Sequence, residues 1–499
     1  MNDNVPIIQL DTGVPGLNEV LGGGLPEFSF NLLAGDPGAG KTTLALQICF
    51  ALATPERPAL FITVLGEPPV KLLRYQQQFS FFDKAKFNTA LRFISIAPPV
   101  LEKGLGEVLK QIVSEVEATN PRLVVVDSFR SVARASETSG LSADLSLQAF
   151  VQQLALHLTA WEATTFLIGE YPDMEREDNP IFTVADGLLW LYQARERRAV
   201  TRRLQVVKMR GQAPVPGLQS FRITQEGVRV FPRLSIPLAG GQESQKHLGT
   251  SSQDLARLST GVSGLDDMMG GGVPPGTSVL IAGPSGSGKT VLSMQFLTEG
   301  AKQGQPGLLA LFEKRPSDYL RTNPLGATID RQVKEGSLHV VYLRPLDLSL
   351  EETMDEVRRV VTVHKITRVV IDSLSGLELA LAPVVPEDFR EMLHRMVGML
   401  TAMGITLFLT VELADSYVDL RFSPHGTAFL TDGIVLQRYL QLRGRLKRML
   451  TVVKLRGSQH SDELRLYDIT NQGLVIGEGL EEIEGIMTGS PRVFHDTKP

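Results

Sequence analysis

Apolar positions along the chain fall into short runs of Val, Ile and Leu, separated by longer segments with a single apolar face. In the N-terminal half the runs at 59–64, 91–96, 122–126 and 164–169 read as strands. Helical spacing of apolar positions marks the segments after Pro69, at 105–119 and at 145–158. Strands apolar on both faces, alternating with helices, predict a mostly parallel sheet covered on both sides, because each parallel connection needs a crossover that packs on the sheet. Three later runs, at 187–192, 203–207 and 220–223, lie too close together for helical crossovers and predict antiparallel extensions at one sheet edge. No apolar run reaches about 18 residues, and the first residues lack a basic region followed by an apolar core. Neither a membrane span nor a signal peptide is expected, and the cytoplasm is the default location.

The second half repeats the first. TGVPGL at 12–17 returns as TGVSGL at 260–265, and GGGLP at 22–26 as GGGVP at 270–274. Lys41 and Lys289 are 248 residues apart, Asp127 and Asp372 245, and Lys208 and Lys454 246. A near-constant offset over several landmarks is the signature of a tandem duplication. The expected division is one α/β domain at 1–231, a Pro/Gly-rich polar linker at 232–254, a second domain at 255–476, and a charged tail at 477–499, mobile or docked on a neighbour.

Each half contains a complete G-x-x-x-x-G-K-T phosphate loop between an apolar run and a helical pattern. The first is Gly35, Asp36, Pro37, Gly38, Ala39, Gly40, Lys41 and Thr42, followed by Thr43. The second is Gly283, Pro284, Ser285, Gly286, Ser287, Gly288, Lys289 and Thr290, followed by Val291. The glycines let backbone N–H groups wrap around phosphate oxygens, the helix N-terminus adds positive potential, the lysine reaches the β and γ phosphates, and the threonine ligates Mg²⁺. ATP and Mg²⁺ are the expected ligands. Asp127 in LVVVDS and Asp372 in VVIDS each end an apolar run and suit the metal side of such a site. A carboxylate at the end of the strand beside the phosphate loop would orient or activate water. Glu67 in FITVLGEPP and Glu313 in LALFEKRPS occupy that region, where a solvated strand-end glutamate is the plainer alternative.

Composition removes other classes. The 50 Lys and Arg against 55 Asp and Glu give a formal net charge of -5, so no overall field favours nucleic acid or an anionic membrane. The single cysteine, Cys49, lies on an apolar helix face and reads as a buried inert thiol; no disulfide framework is available. The eight histidines are scattered without metal-ligand spacing.

The order of entry motif, GGG turn, phosphate loop, VVIDS and K-x-R-G, found twice over about 8–476, resembles the KaiC family of RecA-superfamily ATPases. The resemblance implies two tandem RecA-like domains in a two-tier homohexameric ring, with ATP bound between neighbouring subunits. It also implies that Lys208 and Arg210 (KMRG), and Lys454 and Arg456 (KLRG), reach the nucleotide of the adjacent protomer as cations supplied in trans. Family members bind a small thioredoxin-like partner, KaiB, on the first-domain ring; no residue here carries that surface over. A clock-like or signalling role follows from the same likeness.

Two departures qualify it. The family's adjacent glutamates read Gly66-Glu67 in the first half and Glu313-Lys314 in the second, so Glu313 is the better-matched water activator. The family's autophosphorylated Ser-Thr pair falls on Ala428 and Phe429, neither with a hydroxyl; Thr427, one residue away, is an alternative acceptor on the other face of a strand. Kinase activity therefore has less support than ATP hydrolysis. Competing readings are a recombinase or helicase on single-stranded DNA, motivated by basic clusters at 195–203 and 443–448, and a nucleotide-gated scaffold in which one half mainly holds the ring. The clusters lack interleaved aromatics beyond Tyr192 and Tyr439, and the chain is acidic overall, which argues against nucleic acid.

Overall fold

The computed structural model describes residues 6–64, 69–87, 89–96, 104–129, 143–171, 180–196, 199–233, 256–343, 350–380, 386–413, 430–442, 444–480, 483–484 and 492–493. The chain divides into two compact units, Met1–Arg233 and Leu234–Pro499.

In the first unit β1 (Gln9–Leu10) pairs antiparallel with β2 (Leu25–Pro26). The main sheet comprises β3 (Phe30–Gly35), β4 (Ala59–Val64), β5 (Leu91–Ile96), β6 (Leu123–Asp127), β7 (Thr164–Gly169), β8 (Gly187–Glu196), β9 (Ala199–Met209), β10 (Gln219–Thr224) and β11 (Gly227–Phe231). Its order is β11-β10-β9-β8-β3-β7-β6-β4-β5. The six strands from β8 to β5 are parallel, and β9, β10 and β11 continue antiparallel from β8. Every residue of β3, β4 and β7 is buried, because both faces are covered. Leu33 joins one core with Leu44 and Ile48 of the helix Lys41–Leu52. Leu32 joins the other with Ile112 of the helix Leu105–Thr119 and Leu154 of the helix Ala143–Ala160. A fully buried Leu or Ile contributes about 1.5–3 kcal/mol, so these two layers fix the sheet.

The antiparallel extension differs from expectation in two ways. The run at 187–192 is the start of β8, which is parallel to β3 and so belongs to the parallel core. The short helix Pro180–Val184 lies in the connection that leads into it. The extension itself consists of β9, β10 and β11, and β11 was not anticipated.

The second unit repeats the plan with β12 (Ser278–Gly283), β13 (Gly307–Leu311), β14 (Leu338–Tyr342), β15 (Arg368–Asp372), β16 (Thr406–Glu412), β17 (Gly433–Leu442), β18 (Arg445–Leu455), β19 (Arg465–Thr470) and β20 (Gly473–Gly479). The order β14-β13-β15-β16-β12-β17-β18-β19-β20 is the first sheet's order, strand for strand. Within 477–499, β21 (Ile483–Glu484) pairs antiparallel with β22 (Arg492–Val493). In both units the phosphate-loop strand lies centrally, where the strand order reverses, so that neighbouring strand ends form a crevice around it. Among the described residues no helix is long and apolar enough to cross a membrane. Cys49 is fully buried, and burial pushes its thiol upward, away from the reactive thiolate.

Candidate functional site

β3 runs directly into the first phosphate loop, and the helix Lys41–Leu52 begins at the loop lysine. Gly40 precedes that helix at φ 103°, and Gly288 precedes the helix Lys289–Lys302 at φ 101°, conformations that a side chain would strain. A Cβ at Gly35 would stand 1.9 Å from the Leu191 carbonyl oxygen on β8, so the loop lies on its neighbour only without one. Asp36 fixes the loop there: its N–H donates to Leu191 O at 3.1 Å, and its Oδ2 accepts from Gln193 N at 2.9 Å. In the second unit the loop rests likewise on β17, the counterpart of β8, and also on β19. Tyr439 OH donates to Ser285 O at 3.2 Å, Ser287 Oγ donates to Gln437 Oε1 at 3.0 Å, and Tyr467 OH donates to Ser287 O.

Lys41 Nζ donates to Gly35 O at 3.0 Å and to Asp36 O at 2.7 Å. Lys289 Nζ repeats this with Gly283 O and Pro284 O, both at 2.8 Å. Burial pulls both ammonium groups below the ordinary lysine value, opposed by Glu170, Asp127 and Asp36 at the first and by Glu412 and Asp372 at the second. Thr42 Oγ1 donates to Asp127 Oδ2 at 2.7 Å, and Thr290 Oγ1 to Asp372 Oδ2 at 2.8 Å. Hydroxyl and carboxylate oxygens so paired are hard donors of the kind Mg²⁺ takes. The first loop opens on a cavity of about 290 Å³ whose lining includes Gly38, Lys41, Thr42, Asp127, Glu170 and Ile223.

The two aspartates differ in their surroundings. Burial raises Asp127 above the ordinary carboxylate range, with Thr42 and Lys41 pulling the other way. Asp372 accepts from Thr290 and from the Tyr319 hydroxyl at Oδ2, and from Thr410 Oγ1 at Oδ1, 2.6 Å. Burial, then the Asp372 charge, push the Tyr319 hydroxyl far above the ordinary phenol value, so it stays a donor. Glu313 is exposed, and its Oε1 accepts from Ser373 Oγ at 3.0 Å. Glu67 lies outside the described residues. Strand register nonetheless separates the two glutamates: Thr63 of β4 stands opposite Asp127, whereas Leu311 of β13 stands opposite Asp372. Two residues on from these are Leu65 and Glu313, so Glu67 falls two positions farther along the chain than Glu313 does.

Sequence reasoning missed Glu170 and Glu412, which follow or end the strands parallel to the phosphate-loop strands. The available signal was an acidic residue closing an apolar run in both halves. Tyr319 and Thr410 left no such signal.

The K-x-R-G cations sit elsewhere. Lys208 Nζ donates to Ala185 O at 2.5 Å and Arg210 pairs with Asp186 at 2.9 Å; Lys454 Nζ donates to Thr431 O at 2.6 Å and Arg456 pairs with Asp432 at 3.9 Å. β9 is antiparallel to β8, with Lys208 opposite Leu188, beside the start of β3; β18 places Lys454 opposite Ile434 in the same way. Each cation pair therefore lies at the opposite end of its sheet from its own phosphate loop, one strand of about 20 Å away. Thr427, Ala428 and Phe429 lie outside the described residues, as do Arg197, Arg198 and Arg443. Arg202 and Arg203 lie on β9, and Arg445, Lys447 and Arg448 on β18, with Arg448 over the Tyr439 ring at 5.8 Å.

Two phosphate loops at the switch points of two matched, mostly parallel sheets, each facing a Thr–Asp pair, define a protein of two tandem RecA-like P-loop domains. The chain belongs to the KaiC family of ATPases: the family model described as "ATPase: KaiC" matches residues 10–235 and again 258–481. It is 27% identical over 501 residues to the circadian clock oscillator protein KaiC of Picosynechococcus sp., spanning 98% of this chain and 94% of that protein. It is 28% identical over 501 residues to the circadian clock oscillator protein KaiC 1 of Synechocystis sp., spanning 98% and 93%. Identity to the KaiC of Rippkaea orientalis is 27% over 508 residues, spanning 100% and 94%.

Proposed function

We propose that this chain binds ATP at both phosphate loops, Gly35–Thr42 and Gly283–Thr290, and hydrolyses it slowly within a homohexameric ring, with a regulatory output of the clock-like kind its relatives' names describe. The observation that supports the chemistry most directly is the repeated Thr–Asp pair beside the loop lysine, at 2.7 and 2.8 Å. Thr42 with Asp127 and Thr290 with Asp372 would hold Mg²⁺, which supplies charge neutralisation at the β and γ phosphates when bound. Lys41 and Lys289 exchange their loop carbonyl partners for phosphate oxygens, and the loop N–H groups complete the cradle. Glu313 orients and deprotonates the attacking water at the second site.

The opposite-end placement of Lys208, Arg210, Lys454 and Arg456 supports their action on a neighbour's nucleotide. A head-to-tail contact that closes into a ring brings the cation end of one sheet to the phosphate-loop end of the next. Register favours a division of labour: Leu65 stands in the chain where Glu313 stands, so the first half binds nucleotide chiefly to hold the ring and the second turns it over. A KaiB-like protein or another signalling protein remains the partner class that the family suggests.

The test is phosphate release from ATP by wild type, Glu313→Gln and Glu67→Gln, with oligomer mass recorded with and without ATP. Expected are an ATP-dependent hexamer and a fall of at least about 100-fold with Glu313→Gln, the range for loss of a general base. Wild-type turnover by Glu313→Gln, or a monomer with ATP bound, sinks the mechanism. In parallel, Lys41→Ala is expected to lower hexamer content and Lys289→Ala chiefly turnover. Equal effects of the two on both readouts count against the division.

A further inference from the structure

The segment after β13 is tied at two points to the end of β15, through two successive residues. Ser373 is the first. It precedes the helix Leu374–Ala380, and its Oγ accepts from Gly376 N at 3.1 Å as a helix N-cap while donating to Glu313 Oε1 at 3.0 Å. A hydroxyl does both at once; neither a methyl nor a carboxylate does. Gly376 completes the seat, since a Cβ there would stand 2.6 Å from Glu313 Cγ. Asp372 is the second point. Tyr319, on the helix Pro316–Arg321 and 5% exposed, turns its hydroxyl inward to Asp372 Oδ2, the same oxygen that Thr290 reaches. Thr410 holds the other oxygen.

We propose that Tyr319 and Ser373 are positioning residues of the second site, clamping the Glu313-bearing segment at both ends so that the water-activating carboxylate and the metal-side aspartate move as one body. The clamp rests on the reading of Glu313 as the base. Counting on from the matched register, the first unit has Leu65 in the place of Glu313 and Lys71 in the place of Tyr319, neither a carboxylate nor a hydroxyl. The clamp is thus a property of the second half, and it gives the division of labour a structural basis beyond the loss of one glutamate.

The test uses the full chain and four variants: Ser373→Ala, Ser373→Thr, Tyr319→Phe and Glu313→Gln, with Ser373→Ala also placed in the Glu313→Gln background. Loss of a partner that orients an active group costs about 10-fold. Ser373→Ala is therefore expected to lower kcat about 10-fold with KM for ATP held, Ser373→Thr to restore it, and Ser373→Ala to cost nothing further on Glu313→Gln. Tyr319→Phe is expected to raise the Mg²⁺ concentration for half-maximal binding of a fluorescent ATP analogue by about 10-fold or more, a readout independent of turnover. Amide hydrogen exchange in 313–321 should quicken in both single variants.

Three results overturn the clamp while leaving Glu313 as the base: full kcat in Ser373→Ala, the same loss with or without Glu313, or an unchanged Mg²⁺ requirement in Tyr319→Phe. Full turnover by Glu313→Gln overturns the base assignment itself, and the clamp with it.

Discussion

Asp127 and Asp372 hold the same place in their sheets, yet burial dominates the first and hydrogen bonds surround the second. A carboxyl whose folded pKa lies above its ordinary 3.8 binds its proton more tightly in the native state. Stability is then lost as pH rises from that ordinary value through the raised one, and the cost persists at neutral pH. Asp127→Asn is accordingly expected to raise the melting midpoint of the nucleotide-free protein at pH 7, a gain that vanishes below pH 3.8, while weakening Mg²⁺-dependent nucleotide binding. A lower midpoint at pH 7 would contradict the burial argument. At this scale the phosphate loops and strand-end aspartates were legible because glycine spacing and an apolar run ending in Asp are local patterns. Tyr319 and Thr410 were not, because they meet Asp372 from 53 and 38 residues away and nothing near them in the chain marks the meeting.

Among the elements, strand direction was the part the sequence hid. Spacing between apolar runs limits how a chain can cross over, and the run at 187–192 follows the short helix Pro180–Val184 closely enough to pass for the start of a hairpin. Its parallel pairing with β3 depends on which strand it meets, which is a tertiary fact. The short β11, with Arg229 in its middle, offered too little apolar pattern to be read. β15 opens on another hidden feature, the fully buried Arg368. Its Nη1 donates to Ser259 O and Phe296 O at 2.8 Å each, and its guanidinium lies over the Phe296 ring, which stacks on Phe408. Burial pushes this guanidinium down to about 10, so it stays charged at neutral pH. Arg368→Met fills the space but orphans buried acceptors, at a cost of about 3 kcal/mol by the usual penalty for each. A shift of the denaturation midpoint in the second unit would show it, and a loss below about 1 kcal/mol would mean that water replaces the bonds.

Over the whole molecule, two units with one strand order explain why the duplication was readable from so few landmarks: the offset of 245 to 248 residues is one complete repeat, the sheet with its crossovers together with the linker and the entry segment that lead into the next phosphate-loop strand. In each unit the phosphate loop and the K-x-R-G cations lie at opposite ends of that sheet. If every complete site takes its loop from one copy and its cations from the next, damage to the two ends is not equivalent. A chain with Lys289→Ala and a chain with Lys454→Ala and Arg456→Ala each lack all complete second sites. Mixed one to one, they rebuild about one interface in four, since random neighbours in a closed ring pair an intact loop with intact cations at that frequency. Turnover near that fraction is expected from the mixture, and none above the separate proteins if each site is built within one chain. In a cell holding two alleles of this gene, lesions at opposite ends of one domain would rescue each other, whereas two lesions at the same end would not.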